Sequence, residues 1–338
     1  MDSTANGRRR PTIRDVATAA GVSRGTVSRV INGGHWVSPD ARTAVEQAIR
    51  TTGYRANQHA RSLVTGRSNS LAFLLTESHH LLFEDPTFSI LLRGAAQALN
   101  ERGMTLSLLV AGTPEERANV AAYVGAGHVD GVLLISSHAD DPLLDTLVEQ
   151  DVPTVACGIP LGHYGQVGSV SVDEHGGARA MVAHLRATGR RRVAIITGPL
   201  DTPGGRYRLE GYQAELGHDY DGRYVAHGDY TSASGAAAMD ELLDRVPDLD
   251  AVFAASDLMA AGALATLRRR GLRVPQDVAV GGFDDSGLAA TLDPPLTTMH
   301  QPFDRISGEM VALLLDVVGG APHRYVTLPA HLVVRAST

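Results

Sequence analysis

Arg24 and Arg29 carry the plainest chemistry in the sequence, because a guanidinium can grip O6 and N7 of guanine with two hydrogen bonds. They lie in Ser23-Arg24-Gly25-Thr26-Val27-Ser28-Arg29-Val30-Ile31-Asn32. Val27, Val30 and Ile31 fall on one helical face, which leaves Arg24, Gly25, Ser28 and Arg29 on the opposite one. Gly21-Val22-Ser23-Arg24-Gly25 also fits a Gly-x-Ser-x-Gly nucleophile elbow. That elbow needs a hydrophobic strand before it, and a helical pattern precedes it here, so Ser23 is not read as a nucleophile. Asp257 and Asp284 could serve as the carboxylate pair of a glycoside hydrolase. His79-His80 with Glu84 and Asp85 suggests metal ligands, but adjacent histidines point apart and the spacing fits no standard site. A loop surface is expected there, with no metal. Cys157 is the only cysteine, so no intrachain disulfide can form, and its apolar run makes it a core thiol. All 30 basic residues are arginine, which removes lysine Schiff-base chemistry and the Gly-Lys-Ser/Thr phosphate loop. Gly125-Ala126-Gly127-His128-Val129-Asp130-Gly131 has the wrong spacing for a dinucleotide fingerprint, so no cofactor is expected.

Short helices must carry the two arginines. Thr12-Ile13-Arg14-Asp15, after Pro11, supplies the hydroxyl and the acid of a capping box, and Ile13, Val16, Ala17 and Ala20 recur at helical spacing. Gly21 follows where a left-handed turn residue is wanted, and Ser23 caps the second helix. A third helix opens at Ser38-Pro39, buries Ala41, Val45, Ala48 and Ile49, and ends at Gly53. The pattern is a helix-turn-helix.

The chain of 338 residues suggests about two domains, and no apolar run reaches the ~18 residues of a membrane span. The start lacks the apolar core of a secretory signal, which points to the cytoplasm. Net charge is -7, which taken whole argues against nucleic acid. Resolved along the chain, residues 1–67 hold eleven arginines and four acids, whereas residues 68–338 hold 19 arginines and 33 acids. A basic block on an acidic body is the asymmetry of a chain that touches nucleic acid at one end.

Thr12 to Asn32, TIRDVATAAGVSRGTVSRVIN, resembles the DNA-binding signature of the lactose-repressor family of bacterial transcription regulators, and the likeness continues through Val37-Ser38 and Gly53-Tyr54. The resemblance implies that the second helix lies in the major groove. Arg24, Gly25 and Arg29 would then face base edges, while Thr12, Ser23, Thr26, Ser28 and Asn32 would meet phosphates. The segment from Asn57 to Val64 resembles the family's hinge helix, with Asn57, Ala60 and Leu63 at the minor groove and Leu63 prying open a base step. Eight residues are fewer than the ~12–15 an isolated helix needs, so this one should form only against a partner and DNA. Ala56 stands where the family usually has proline.

From Ser70 onward, apolar runs alternate with helical stretches. Strands are expected at residues 71–75, 105–110, 131–135, 153–156 and 170–172, and again at 192–197, 251–255, 278–283 and 296–299. Helices are expected at residues 90–102, 176–188, 235–245 and 258–270. The alternation predicts an α/β fold with two lobes of doubly wound parallel sheets and a cleft between them. Gly198-Pro199-Leu200, Ser256-Asp257-Leu258-Met259-Ala260 and Gly282-Phe283-Asp284-Asp285 resemble the effector domain of the same family, itself like the periplasmic sugar-binding proteins. By that resemblance Arg208, Tyr230, Ser256, Asp257, Asp284, Gln301 and Phe303 line the cleft and hold a small sugar.

Thr76–Phe88 reads as a long loop offering Glu77, His79, His80, Phe83 and Phe88 to the cleft, and together with the stretch around His138, also expected to bind the effector, it resembles repressors of cellulose-sugar genes in high-GC bacteria. The expected layout is a DNA-binding domain at 1–55, a hinge at 56–66 and an effector and dimerisation domain at 67–338. Its first lobe would hold about 67–168 and 300–330, and its second about 169–299. The whole reads as a cytoplasmic homodimeric repressor, on the nucleoid when bound to a palindromic operator, whose DNA affinity answers to a saccharide such as cellobiose. A transport-type sugar-binding protein and a glycoside hydrolase are the rival readings. Whether the sugar releases or promotes DNA binding does not follow from the sequence, although induction suits a catabolic sugar.

Overall fold

Helix α1 (Ile13–Ala20) begins at the expected cap. The Asp15 carboxylate accepts from the Thr12 amide at 2.7 Å and the Thr12 hydroxyl at 2.8 Å, serving donors that a first helical turn leaves open. Gly21 ends the helix at φ +65°, a left-handed conformation that glycine alone adopts cheaply. Helix α2 (Arg24–Ile31) follows, with Ser23 Oγ accepting from the Thr26 amide at 3.1 Å. Helix α3 (Pro39–Thr52) starts with proline in its first turn and ends at Gly53. Val16, Val27 and Val45, one from each helix, are fully buried where the three meet.

The computed structural model describes residues 11–31, 36–54 and 67–338. It divides into two units, one up to Ser68 and one from Asn69 to Thr338. The second unit holds two sheets. The first contains β1 (Ser70–Leu75), β2 (Thr105–Val110), β3 (Val132–Ile135), β4 (Thr154–Cys157), β5 (Gly168–Val172) and β11 (Tyr325–Leu328). These strands are all parallel, in the order β11-β5-β4-β3-β1-β2. The second contains β6 (Val193–Thr197), β7 (Val225–His227), β8 (Ala251–Ala254), β9 (Ala279–Asp284), β10 (Thr297–His300) and β12 (His331–Val333), in the order β12-β10-β9-β8-β6-β7. Only β12 runs antiparallel to its neighbour. Runs such as Val132–Ile135 are buried along their whole length, as parallel strands covered on both faces must be.

Helices α4 (His79–Glu84), α5 (Pro86–Asn100), α6 (Pro114–Gly125) and α7 (Pro142–Glu149) belong to the first lobe. Helices α8 (Glu174–Ala187), α9 (Pro203–Leu216), α10 (Ser232–Arg245), α11 (Asp257–Arg269) and α12 (Leu288–Thr291) belong to the second. The chain then returns, and α13 (Phe303–Val318) packs on α5, where the Ser307 hydroxyl donates to the Leu91 carbonyl at 3.1 Å.

Two expectations need correction. The lobe boundary does not fall at residue 169: β5 pairs with β4 through Val155 and Gly168 and belongs to the first sheet, so the chain crosses after Val172. Residues 76–88 are not a long loop either. Ser78 caps α4, Asp85 Oδ1 accepts from the Thr87 amide at 2.8 Å to cap α5, and Leu81 and Leu82 are buried beneath. Among the described residues no helix is long and apolar enough to cross a membrane.

Candidate functional site

Two surfaces hold the chemically expressive residues. On α2, Arg24, Gly25 and Arg29 are exposed, and neither arginine has an ion pair among the described residues. A Cβ on Gly25 would meet nothing closer than Ser23 Oγ at 3.6 Å, so packing does not require glycine there. The face is bare between two unpaired cations. Of the expected phosphate contacts, Thr12 and Ser23 already serve as helix caps, and the Thr26 hydroxyl lies 3.0 Å from Ser23 Oγ. Ser28 is half-buried on the same helix. Asn32, Asn57, Ala60 and Leu63 lie outside the described residues.

The second surface is a cavity of about 860 Å³, its open mouth included, at the carboxyl ends of strands from both sheets. In each sheet the strand order reverses there, β1 against β3 and β6 against β8, which leaves a crevice for a ligand. Glu77, Phe88, Arg208, Tyr230, Ser256, Asp284, Gln301 and Phe303 all line it, as expected.

Arg208 projects from α9 and is buried, with 5% of its surface exposed. Its Nε donates to Glu174 Oε2 at 2.6 Å, a terminal nitrogen donates to the Ala255 carbonyl, and the guanidinium lies 3.7 Å above the Phe283 ring. Burial opposes its charge, but Glu174, Tyr230 and Asp284 more than offset that and hold its pKa above the usual arginine value. Asp284 ends β9 at φ +123°, a conformation strained for a side chain bearing a Cβ. Gln301 Nε2 donates to its Oδ1 at 2.7 Å, and Arg208 stands 3.7 Å away. Burial drives the Asp284 carboxyl well above the carboxylate range; Arg208 pulls it back, while Asp257 and Asp85 push it further. Tyr230 and Ser136 also have positive φ, at 68° and 60°. Three strained residues around one cavity indicate side chains held for a task other than packing.

Glu77, just past β1, accepts from the Ser136 hydroxyl and from His138 Nε2, the latter at 2.9 Å. The Ser137 hydroxyl lines the cavity, buried and without a hydrogen-bond partner among the described residues. Such a group calls for a ligand hydroxyl or water. Phe88, Leu81, Leu91, Phe303 and Ile306 form an apolar wall. Burial pushes the Tyr230 hydroxyl up to about 12, so it remains a donor at neutral pH.

Four site expectations are corrected. Phe83 is 86% exposed, because α4 turns Leu81 and Leu82 inward and Phe83 outward. His79 and His80 pair with Glu116 and Glu84 instead of reaching the cleft. His138 stands at the mouth and touches the cavity only through Glu77. Asp257 does not line the cavity; it is buried and accepts from the Thr298 hydroxyl at 2.6 Å and the Asp285 amide at 2.8 Å. Burial pushes its carboxyl up to about 7. It therefore anchors the turn carrying Asp284, and the two acids do not flank a common bond.

The sequence reading missed Asp85, Ser136, Ser137, Glu174, Thr202 and Gly204, and placed Cys157 wholly in the core. The Cys157 thiol packs on the core and also lines the cavity; burial pushes it up to about 12, so it stays protonated. Asp85-Pro86 is a helix-start signal that could have shown Asp85 facing the crevice. Among the described residues no cluster of three potential metal ligands exists.

Residues 12–57 match the model of the bacterial regulatory proteins, lacI family, and residues 182–338 match the periplasmic binding protein-like domain. The chain is 48% identical over 337 residues to the HTH-type transcriptional regulator CelR of Thermobifida fusca, which spans 98% of this chain and 99% of that one. A solved structure of a CelR–cellobiose complex matches with a TM-score of 0.78 at 45% identity, covering 97% of this chain and 100% of that one. The lac repressor dimer bound to operator and the anti-inducer ONPF matches with a TM-score of 0.84 at 27% identity, over 98% and 99% of the two chains.

Proposed function

The chain belongs to the lacI family of bacterial regulatory proteins, and from that premise we propose that cellobiose or a closely related neutral glucoside fills its two-lobed cavity and controls its hold on DNA. It is a DNA-binding transcriptional repressor with a sugar effector, not an enzyme. The observation that carries the ligand class is the convergence of Glu77 and Ser137 from one lobe with Arg208 and Asp284 from the other, across an apolar wall. Sugars present adjacent hydroxyls to charged acceptors and forks, and C–H faces to apolar side chains.

On α2, Arg24 and Arg29 read guanine edges and Gly25 lets the helix approach the groove, while Thr26, Ser28 and the caps Thr12 and Ser23 position phosphates. Asn32 contributes a further phosphate contact, and Asn57, Ala60 and Leu63 engage the minor groove. A homodimer presents two such helices to a palindromic operator, in the cytoplasm and on the nucleoid. Cellobiose acts as inducer: it binds one lobe arrangement better and so lowers operator affinity. Calorimetric titration of the full chain with cellobiose, glucose and ribose tests the ligand. Cellobiose should bind at least ten-fold tighter than either monosaccharide. Binding of a monosaccharide with no cellobiose heat would overturn the assignment.

A further inference from the structure

One imidazole joins the two lobes at the mouth of the cavity. His138, in the turn after β3, presents Nε2 to Glu77 Oε1 at 2.9 Å in its own lobe, and Nδ1 to Asp201 Oδ2 at 2.9 Å in the other. Beside it, the Ala139 amide donates to the Asp201 carbonyl at 2.7 Å. Asp201 immediately precedes Thr202, whose hydroxyl accepts from the Gly205 amide at the start of α9, the helix that bears Arg208. The contact thus connects the first lobe's cavity carboxylate to the base of the second lobe's cavity arginine.

We propose that His138 is a positioning residue that holds Glu77 toward the effector and clamps the two lobes in the arrangement that forms the cavity. A neutral imidazole has one donor, and serving two carboxylates takes both nitrogens as donors, so the clamp is complete only as the imidazolium. The Glu77 hydrogen bond, against opposing burial and with help from Asp201, pushes His138 up to about 9, so the clamp is closed at neutral pH. The other charged groups nearby are Asp140 and Asp141 on the same turn, Arg117 of α6, 3.8 Å from Asp141, and Arg206 of α9, which donates to the Leu200 carbonyl. Cys157 and Tyr230 stay protonated to about 12, so they do not titrate near pH 9.

This proposal rests on the cavity taking a saccharide, and two measurements on the full chain separate it from that reading. The first is cellobiose affinity between pH 7.5 and 10 for wild type and His138→Gln. Wild type should lose roughly ten-fold across pH 9, while His138→Gln should start about ten-fold weaker and show no alkaline fall. The second uses no sugar: hydrogen exchange of the 136–141 segment, which contains the lobe-bridging Ala139 amide. Exchange there should be at least about ten-fold faster in His138→Gln, with the native circular dichroism spectrum retained. Equal exchange in the two proteins overturns the clamp, whether or not cellobiose binds. Faster exchange with no cellobiose binding to wild type leaves the clamp standing and overturns the ligand. A shared alkaline fall in both proteins overturns the role of His138 in effector binding.

Discussion

Replacing Asp284 with asparagine should weaken the effector site and strengthen the fold. Asp284 is buried, ends β9 in a strained conformation, and among the described residues has Gln301 at 2.7 Å and Arg208 at 3.7 Å to support its charge. As a carboxylate it can accept two sugar hydroxyls, each a charge-assisted bond of about 1.5–3 kcal/mol. Asparagine has one acceptor, already shared with Gln301, so roughly 3 kcal/mol is lost and cellobiose affinity falls about a hundred-fold. In the free protein burial raises this carboxyl's pKa above its unfolded value. Stability is therefore lost as pH rises from the unfolded value through the folded one, and asparagine removes that loss. The variant should therefore melt at a higher temperature than wild type at pH 7.5. Sugar hydroxyls favour the ionised form, so wild-type affinity should climb with pH on the acid side, and Asp284→Asn should lack that limb. Calorimetry and thermal melts across pH 5–8 measure all three effects. An asparagine variant that binds within about three-fold of wild type and keeps the acid limb would refute this reasoning.

Three further outcomes are expected. Arg29→Ala should abolish operator-specific retardation while leaving cellobiose binding unchanged and the melt within about 0.5 kcal/mol, because the side chain is exposed and makes no ion pair among the described residues. Phosphorylated cellobiose should bind at least roughly a hundred-fold more weakly than cellobiose in competition calorimetry, since Glu77, Asp85, Glu174 and Asp284 line the cavity and Arg208 is the one arginine there among the described residues. Phe88→Ala should cost about 3 kcal/mol in chemical denaturation and weaken cellobiose binding, whereas Phe83→Ser should change neither, in keeping with 8% and 86% exposure.

The DNA-binding unit was legible in sequence because its determinants are local. Thr12 with Asp15, Gly21, and Ser38-Pro39 each act within a few residues, and the observed caps use those side chains. The long buried strands were legible because parallel strands leave unbroken apolar runs. Shorter or less periodic elements were not. Strand β7 has three residues, and α9 carries glycines that look like breakers. Those glycines serve close approach: a Cβ on Gly205 would fall 2.1 Å from the Pro199 carbonyl oxygen, and one on Gly211 would fall 2.4 Å from that of His175. At the cavity, Arg208 and Asp284 were found by family likeness. Which of several nearby acids and aromatics face inward is decided by tertiary packing. Asp257 lies one residue from Ser256 yet outside the cavity lining, and Phe83 lies one residue from the buried Leu82 yet in solvent.

The central claim is that one sugar, bound far along the chain from α2, sets DNA affinity. The direct measurement is the operator dissociation constant of the full chain at fixed salt, with and without saturating cellobiose. A rise of about five-fold or more with cellobiose, absent in Asp284→Asn, is the predicted result. Operator affinity unchanged by a sugar that demonstrably binds would contradict it.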